Sequence, residues 1–317
     1  MKPYLIVIIV FASLLFLFAL YLILGQKIVK MNLGAKALKT KNQNHLTDKN
    51  NIYEKIMDYD FDKKNNTKLV SISSYDKTKL NGFYYQSKKK SNLFILAAHG
   101  YGSCHLEQTI LMNHLIEKYD LNLLLIDERA EASSGGKYCT MGDRESKDLL
   151  CWIKYIKSLN KDAKILLYGN SLGAATVLMC AARSENDAGI VGVIADSAYQ
   201  SAYIEFKKVI TEYMKIPAFF ALYPLNLACI LLHHFSLKTA NVKENAKNIK
   251  IPTLLIHAGE DTFIPPHDMD LIYDNLPNDI EKEKHLFPKG EHCLASLYDR
   301  EGYFKLIDSF IEKHLTK

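Results

Sequence analysis

The chain has 317 residues, of which 48% are hydrophobic and 24% are charged, so it is long enough for one large domain and an additional segment. This size and apolar content exclude a mini-protein, and 15 Gly with 8 Pro are too few for a low-complexity chain. The formal net charge of +5, from 40 basic and 35 acidic residues, is modest, so we expect no nucleic-acid partner.

The first apolar stretch predicts a membrane anchor. Residues 4–24 contain no charged side chain, and a helix of that length can cross a hydrocarbon core of about 30 Å. A secretory signal peptide would have a shorter apolar run, so we interpret residues 1–25 as an uncleaved transmembrane anchor in the cell membrane. One lysine precedes this stretch and several follow it, which favours a cytoplasmic position for the rest of the chain. The lysines that follow are Lys27, Lys30, Lys36, Lys39 and Lys41.

Residues 26–66 are rich in Lys and Asn and show no sustained apolar period, so they are predicted to form a polar stalk. The six cysteines farther along are widely spaced, mostly in apolar stretches, and are predicted to be buried free thiols. They are Cys104, Cys139, Cys151, Cys180, Cys229 and Cys293. Their spacing does not fit a zinc site, and we predict neither a metal nor an organic cofactor.

Residues 67–317 have the pattern of an α/β domain. Residues 68–73 and 80–86 resemble two half-buried strands around a turn, which predicts an antiparallel hairpin. Five continuous apolar runs then alternate with amphipathic segments, as is typical of parallel strands covered on both faces by helices. The runs are residues 93–98, 121–126, 165–168, 190–195 and 253–258, followed by a strand at 283–287 and a helix at 298–314. The predicted fold is therefore a mostly parallel, doubly wound sheet.

The segment Gly169-Asn170-Ser171-Leu172-Gly173 is a G-x-S-x-G motif between an apolar strand and a helix of small residues. A sharp turn in this context holds the serine in a strained backbone conformation that projects its oxygen. Glycines on both sides allow the strand and the helix to pass closely. An ordinary turn in which Ser171 caps the helix is the alternative. The two flanks favour a nucleophile at Ser171.

A serine hydroxyl needs a base that accepts its proton and a carboxylate that orients the base. Asp261 and His292 each follow a predicted strand, and ligands of open α/β sheets bind at the carboxyl ends of strands. We therefore predict Asp261 as the acid and His292 as the base. Asp196 is the competing acid, although its neighbour Ser197 favours a turn or a helix cap at that position.

Two backbone amides are available for the negative oxygen of a tetrahedral intermediate. One is the amide of Leu172, directly after the serine, and the other is that of Tyr101, between two glycines in the loop after residues 93–98. His99 in the same loop is predicted to organise it through hydrogen bonds. His257 is predicted to be a structural residue inside its strand.

Together these motifs resemble the α/β-hydrolase superfamily, and more narrowly the N-terminally anchored esterase-like, lysophospholipase-like and serine-aminopeptidase-like hydrolases of low-GC Gram-positive bacteria. The resemblance runs from about residue 68 to the C-terminus. It is carried by AAHGYGS at 97–103, LLLIDERAEASSGGKYCTMG at 123–142, YGNSLGAAT at 168–176, IADSAY at 194–199, IPTLLIHAGEDTFIPP at 251–266 and GEHC at 290–293. It implies the order nucleophile, acid and base for Ser171, Asp261 and His292. It also implies an oxyanion hole formed by the amides of Tyr101 and Leu172.

One position departs from the pattern of these hydrolases. They commonly have a His-Gly pair in the loop after the fourth strand, where this chain has Glu131 and Ala132. We expect Glu131 to occupy a solvent-exposed face. The alternative is that Glu131 alters a loop close to the site.

The family resemblance also implies a cap over the active site, inserted after the sixth core strand at about residues 198–250. The aromatic, largely apolar composition of this insertion predicts a pocket for acyl or aryl groups. Alternatively, its aromatic side chains only pack the cap onto the core. A second membrane span at residues 217–232 is not favoured, because Pro224 and Asn226 interrupt a short run. Shallow contact of the cap with lipid is the favoured alternative.

The leading hypothesis is a serine hydrolase that cleaves carboxylic esters, including lipid-derived or aryl esters, through an acyl-enzyme intermediate. A second hypothesis keeps the triad and changes the bond, to an acyl-peptide or amide hydrolase or an acyltransferase. A third is a non-catalytic anchored binding protein with the same fold, which the intact Ser, Asp and His set disfavours. The predicted partners are a small-molecule or lipid-like ester and the membrane.

Overall fold

An eight-stranded sheet forms the centre of the molecule, in a computed structural model that describes residues 2–47, 52–185 and 188–314. The strands are β1 (Lys68–Ser73), β2 (Lys79–Tyr85), β3 (Leu93–Ala98), β4 (Asn122–Ile126), β5 (Lys164–Asn170), β6 (Ile190–Asp196), β7 (Thr253–Ala258) and β8 (Lys282–Phe287). The helices are α1 (Pro3–Asn32), α2 (Ala35–Thr47), α3 (Phe61–Asn65), α4 (Thr109–Lys118), α5 (Asp143–Leu159), α6 (Leu172–Arg183), α7 (Ala202–Lys208), α8 (Leu222–His233), α9 (Val242–Ala246), α10 (His267–Asn275), α11 (Ala295–Tyr298) and α12 (Arg300–His314).

The strand order is β1-β2-β4-β3-β5-β6-β7-β8. Strand β2 is antiparallel to both of its neighbours, and all pairs from β4 to β8 are parallel. The predicted mostly parallel sheet with an N-terminal antiparallel hairpin is therefore confirmed. Because parallel strands are joined by crossover helices, the carboxyl ends of β3 to β8 all lie at one edge of the sheet.

The two faces of the sheet are covered by different helices. Since side chains alternate along a strand, Leu96 packs with Trp152 of α5 on one face, and Ile95 packs with Tyr303 of α12 on the other. Strands β4 and β7 are buried along their whole length. This explains why continuous apolar runs, rather than alternating patterns, marked these strands in the sequence.

The N-terminal segment differs from the predicted stalk. Helix α1 continues beyond the expected anchor to Asn32, and α2 follows it. Val29, Leu33 and Leu38 are fully buried in the main core, because their spacing places them on the side of these helices that faces the domain. The N–H of Ala35 also donates to the carbonyl of Lys137, at 3.0 Å. Most of the described part of residues 26–66 is therefore helical, and part of it packs on the domain, although the domain boundaries themselves remain predictions.

The insertion between β6 and β7 is helical, as expected for a cap. It consists of α7, a π-helical turn at Val209–Tyr213, a 3-10 turn at Ala218–Phe220, α8 and α9. Within the described residues, α1 is the one helix that is long and apolar enough by itself to cross a membrane. The two apolar arms of the cap pass that test only together and are bent by 114°.

A buried ion pair fixes the loop that follows β4. Nε and Nη2 of Arg129 each lie 2.6 Å from a carboxylate oxygen of Asp148, and Nη1 lies 2.9 Å from Asp76. We expect Asp148→Ala to lower the free energy of unfolding by about 3–5 kcal/mol, because it leaves the guanidinium buried with Asp76 as its remaining carboxylate. Burial raises the pKa of Asp148 to about 6, so its carboxyl group is ionised at pH 8. Denaturant unfolding in detergent at this pH measures the effect.

Asp120→Ala is the matched control for this substitution. It breaks the exposed contact of 2.9 Å between Lys89 and Asp120, and exposed pairs of this kind contribute about 1 kcal/mol or less. An Asp148→Ala variant that loses no more stability than Asp120→Ala would contradict the structural role given to the Arg129 pair.

Candidate active site

The turn between β5 and α6 projects Ser171 from the carboxyl edge of the sheet. Ser171 has φ 51° and ψ −112°, a strained conformation for a residue with a side chain. The flanking glycines are required for packing. A Cβ on Gly169 would lie 2.3 Å from the backbone of Gly173, and a Cβ on Gly173 would lie 2.0 Å from the carbonyl oxygen of Ala98. The close passage and the strained serine are both as the motif predicts.

The structure brings Ser171, His292 and Asp261 together. Oγ of Ser171 lies 2.8 Å from Nε2 of His292, and Nδ1 of His292 lies 2.7 Å from Oδ2 of Asp261. The loops after β8 and β7 supply His292 and Asp261, and both strands end at the same edge as β5. The three side chains thus form one continuous hydrogen-bonded relay, although they are far apart in the sequence.

Asp261 is held as an ionised carboxylate. Its Oδ1 accepts hydrogen bonds from the N–H groups of Phe263 and Ile264, at 3.0 and 2.8 Å. Burial alone would raise the pKa of Asp261, but hydrogen bonds to His257 and His292 outweigh burial and lower this pKa to about 2. His257 lies inside β7, as predicted, and its Nε2 is 3.3 Å from Oδ2 of Asp261. It therefore supports the same carboxylate.

Asp196, the competing acid, is bound to other groups. Its Oδ2 accepts from the hydroxyl of Tyr303 at 2.7 Å, and its Oδ1 accepts from Oγ of Ser197 at 2.9 Å. Its backbone carbonyl accepts the N–H of Ser171 at 2.8 Å. Asp196 thus supports the serine turn through its backbone, and its side chain contacts Tyr303 and Ser197 at the end of β6 instead of His292.

The loop after β3 places Tyr101 beside the serine. Tyr101 and Leu172 line the same cavity as Ser171. In the part of the chain that the structure describes, the N–H groups of Tyr101 and Leu172 make none of the backbone hydrogen bonds that lie outside regular helices and strands.

His99 organises the loop after β3 as predicted. Its Nδ1 lies 2.7 Å from the carbonyl oxygen of Gly100, and its Nε2 accepts the N–H of Glu128 at 2.9 Å. Burial lowers the pKa of His99, which favours the neutral ring.

The expectation that Glu131 faces solvent is wrong. Its side chain is fully buried, and Oε2 accepts the N–H of Gly102 at 2.7 Å. Glu107, which sequence reasoning missed, accepts the N–H of Gly100 in the same way. Two carboxyl groups, the buried one of Glu131 and the half-buried one of Glu107, therefore hold the backbone on either side of Tyr101. Burial raises the pKa of Glu107 to about 7 and that of Glu131 well above its usual range.

These contacts predict a graded effect of substitutions at Glu131. We expect Glu131→Ala to lower kcat for a short ester about tenfold. The substitution leaves the buried N–H of Gly102 without its acceptor, which costs about 1–3 kcal/mol and loosens the loop. Glu131→Gln keeps a carbonyl oxygen for Gly102 and should retain most of the activity. Steady-state kinetics on both variants measure this difference. Equal activities of the Ala and Gln variants would contradict a positioning role for the Glu131 oxygen.

Ser171 and His292 line a cavity of about 430 Å³ with mainly apolar walls, while Asp261 is buried behind His292. The cap contributes Phe206 and Val209, and the loop after β7 contributes Phe263, whose ring lies edge-on to the ring of His292 at 5.2 Å. Within the described residues, no group of three or more His, Cys, Asp or Glu side chains is arranged to hold a metal ion.

One wall of the cavity comes from the N-terminal segment, which sequence reasoning had placed outside the site. Asn32, Lys41 and Tyr53 all line the cavity. The hydroxyl of Tyr101 donates to the carbonyl oxygen of Asn32, and Nζ of Lys41 lies 4.4 Å above the Tyr101 ring. The hydroxyl of Tyr53 donates to the backbone carbonyl of His292 at 3.3 Å. The N-terminal segment thus contacts both Tyr101 and His292.

Comparison with known proteins identifies relatives of this fold. A family model described as serine aminopeptidase, S33, matches residues 226–298, which include Asp261 and His292. The uncharacterized Bacillus subtilis protein YqkD is 25% identical over 258 residues, covering 80% of this chain and 81% of YqkD. The uncharacterized yeast membrane protein YNL320W (Saccharomyces cerevisiae) is 24% identical over 204 residues, 64% of each chain.

Among solved structures, the Pyrococcus furiosus esterase Pf2001 aligns with a TM-score of 0.65 at 23% identity. The alignment covers 80% of this chain and 94% of the esterase, so the two chains share the fold over nearly the whole esterase. The chain therefore shares the α/β-hydrolase fold, and the family-model match over residues 226–298 supports a hydrolase enzyme.

Proposed function

We propose that this hydrolase is a membrane-anchored serine hydrolase that cleaves carboxylic esters through an acyl-enzyme intermediate. The observation that carries the proposal is the relay from Ser171 through His292 to Asp261, with contacts of 2.8 and 2.7 Å. Such a relay makes a weakly nucleophilic hydroxyl reactive, because the imidazole accepts its proton and the carboxylate stabilises the resulting imidazolium.

In the proposed reaction, Oγ of Ser171 attacks the ester carbonyl while Nε2 of His292 takes its proton. The N–H groups of Tyr101 and Leu172 donate to the negative oxygen of the tetrahedral intermediate. The intermediate collapses, the leaving alcohol takes the proton from His292, and the acyl group remains on Ser171. Water, deprotonated by the same imidazole, attacks the acyl-enzyme, releases the acid and restores the serine.

The cavity supports an apolar acyl or aryl group in the substrate. Its volume of about 430 Å³ falls within the range of small-molecule pockets, and aromatic and aliphatic side chains form most of its walls.

Mixing the detergent-solubilised full chain with a series of p-nitrophenyl esters tests the proposed ester hydrolysis. We expect a burst of one p-nitrophenolate per enzyme with acyl chains that the cavity accepts. Absence of both burst and turnover would favour the non-catalytic binding protein instead.

One observation favours a second candidate, an acyl-peptide or amide hydrolase or an acyltransferase that uses the same relay. Glu205 of the cap is buried, lines the cavity, and has no hydrogen-bond partner for Oε2 among the described residues. A carboxyl group there offers a contact for the N–H group of an amide substrate. Parallel assays with aminoacyl and peptidyl p-nitroanilides discriminate the two candidates, since faster turnover of the anilides than of the esters would reverse their order.

We place the enzyme in the cell membrane through α1. None of the apolar window of α1 is buried in the domain, and its residues 3–20 are all exposed. The yeast relative is named a membrane protein, which supports the same position. The lysines after the apolar stretch favour a cytoplasmic domain. Protease added to intact cells tests this orientation, because a cytoplasmic domain should remain undigested until the cells are lysed.

A further inference from the structure

The bend of the cap exposes a cluster of large apolar side chains. We call this cluster the cap corner, and it consists of Tyr213, Met214, Phe219, Phe220 and Tyr223, each between 51% and 58% exposed. The two apolar arms of the cap meet here at 114°. A contiguous apolar patch on a soluble surface usually marks an interaction site. The cap corner is therefore expected to be covered by a partner or by lipid.

Helix α1 fixes the position of the cap corner. The hydroxyl of Tyr21 donates to the carbonyl oxygen of Phe219 at 2.7 Å, and the rings of Tyr21 and Phe219 lie 5.4 Å apart. One turn farther along α1, Gly25 packs directly on Pro224, where a Cβ would lie 2.0 Å from the Pro224 carbonyl oxygen. The cap corner is therefore held against α1 at Phe219 by the Tyr21 side chain, and at the neighbouring Pro224 by close backbone contact.

The length of the free part of α1 sets the depth of this contact. Residues 3–20 are exposed, and contact with the domain begins at Tyr21. At 1.5 Å per residue the free part is about 27 Å long, close to the hydrocarbon thickness of about 30 Å. Tyr21 and Phe219 would then lie at the boundary between hydrocarbon and headgroups, where tyrosine is enriched in membrane proteins.

From this geometry we propose that the cap corner inserts into the same leaflet boundary as the end of α1, so that the cap is a second, peripheral lipid contact of the protein. This inference rests on the proposed anchor, and not on the proposed chemistry. Insertion removes the aromatic side chains from water, and contact of this type reaches about 5–10 Å into the bilayer. The exposed Lys215, at the bend itself, can extend its ammonium group towards lipid phosphates.

A second copy of the chain is the competing occupant, and fluorescence quenching separates the two. The full chain carries one tryptophan, Trp152, which is fully buried and serves as the background. Three single variants are reconstituted in phosphatidylcholine vesicles that contain brominated acyl chains. They are Phe220→Trp in the cap corner, Phe11→Trp in the free part of α1, and Leu159→Trp. Leu159 is 47% exposed at the end of α5, far from the carboxyl edge of the sheet, and is the matched control.

We expect loss of fluorescence at positions 220 and 11 but not at 159. Position 220 should be quenched most by lipids brominated near the carbonyl end of the acyl chain, and position 11 by those brominated near the methyl end. Quenching at 11 without quenching at 220 would overturn the inference and leave the anchor intact. A tryptophan at 220 that is protected from water but not quenched would assign the cap corner to a second copy. Absence of quenching at both positions would overturn the anchor, and the inference with it.

Discussion

Replacing Ser171 with alanine is expected to lower kcat for a p-nitrophenyl ester by about 10³- to 10⁶-fold. The substitution removes the atom to which the acyl group is transferred, while His292 and Asp261 keep their own contact of 2.7 Å. Binding should change little, because the cavity walls do not depend on this oxygen. The effect should therefore appear in kcat rather than in the affinity for a non-hydrolysable analogue.

Ser158→Ala provides the matched control. Ser158 is exposed near the end of α5, and its Oγ donates to the backbone carbonyl of Tyr155 at 2.7 Å, away from the cavity. Its kcat should equal that of the unsubstituted enzyme. An active Ser171→Ala variant that has folded, as judged by its unfolding transition, would remove Ser171 from the mechanism.

Replacing Asp261 with asparagine is expected to lower kcat by about 10³- to 10⁴-fold without loss of fold. The N–H groups of Phe263 and Ile264 both donate to Oδ1, so the asparagine oxygen must take that place. Its NH₂ group then faces His292 as a donor, and Nδ1 of His292 must accept. The ring proton moves to Nε2, where it prevents acceptance of the Ser171 proton.

Asp270→Asn is the control for this second substitution, because Asp270 is an exposed residue of α10 that pairs with Lys284. The control should leave kcat unchanged at every pH. Since the pKa of Asp261 is lowered to about 2, the carboxylate is ionised throughout the neutral range, and the deficit of Asp261→Asn should persist from about pH 5 to 9. A deficit confined to acidic pH would contradict the tautomer argument.

The sheet and the relay were accessible from sequence because their signals are local. Residues 93–98 and 253–258 coincide with β3 and β7, since strands buried on both faces are continuous apolar runs. The positions of Ser171, Asp261 and His292 directly after three of the predicted parallel strands then predicted that they would meet at one edge. Parallel pairing made this inference independent of the chain length between them.

The N-terminal wall of the cavity was not accessible in the same way. Val29, Leu33 and Leu38 are few apolar residues among many lysines and asparagines, and their spacing is a weak helical signal. Their partners lie far along the chain, as the packing of Gly25 on Pro224 illustrates. The burial of Glu131 likewise depends on the neighbouring loop, because an isolated glutamate in a polar segment is usually solvent exposed.

Labelling with a fluorophosphonate probe, followed by mass spectrometry of the peptides, tests most directly whether Ser171 is an activated nucleophile. We expect one covalent adduct per folded chain, on Ser171, with labelling that is lost in Ser171→Ala and slowed in Asp261→Asn. A folded enzyme that hydrolyses esters without an adduct, or that carries its adduct on another residue, would contradict the account.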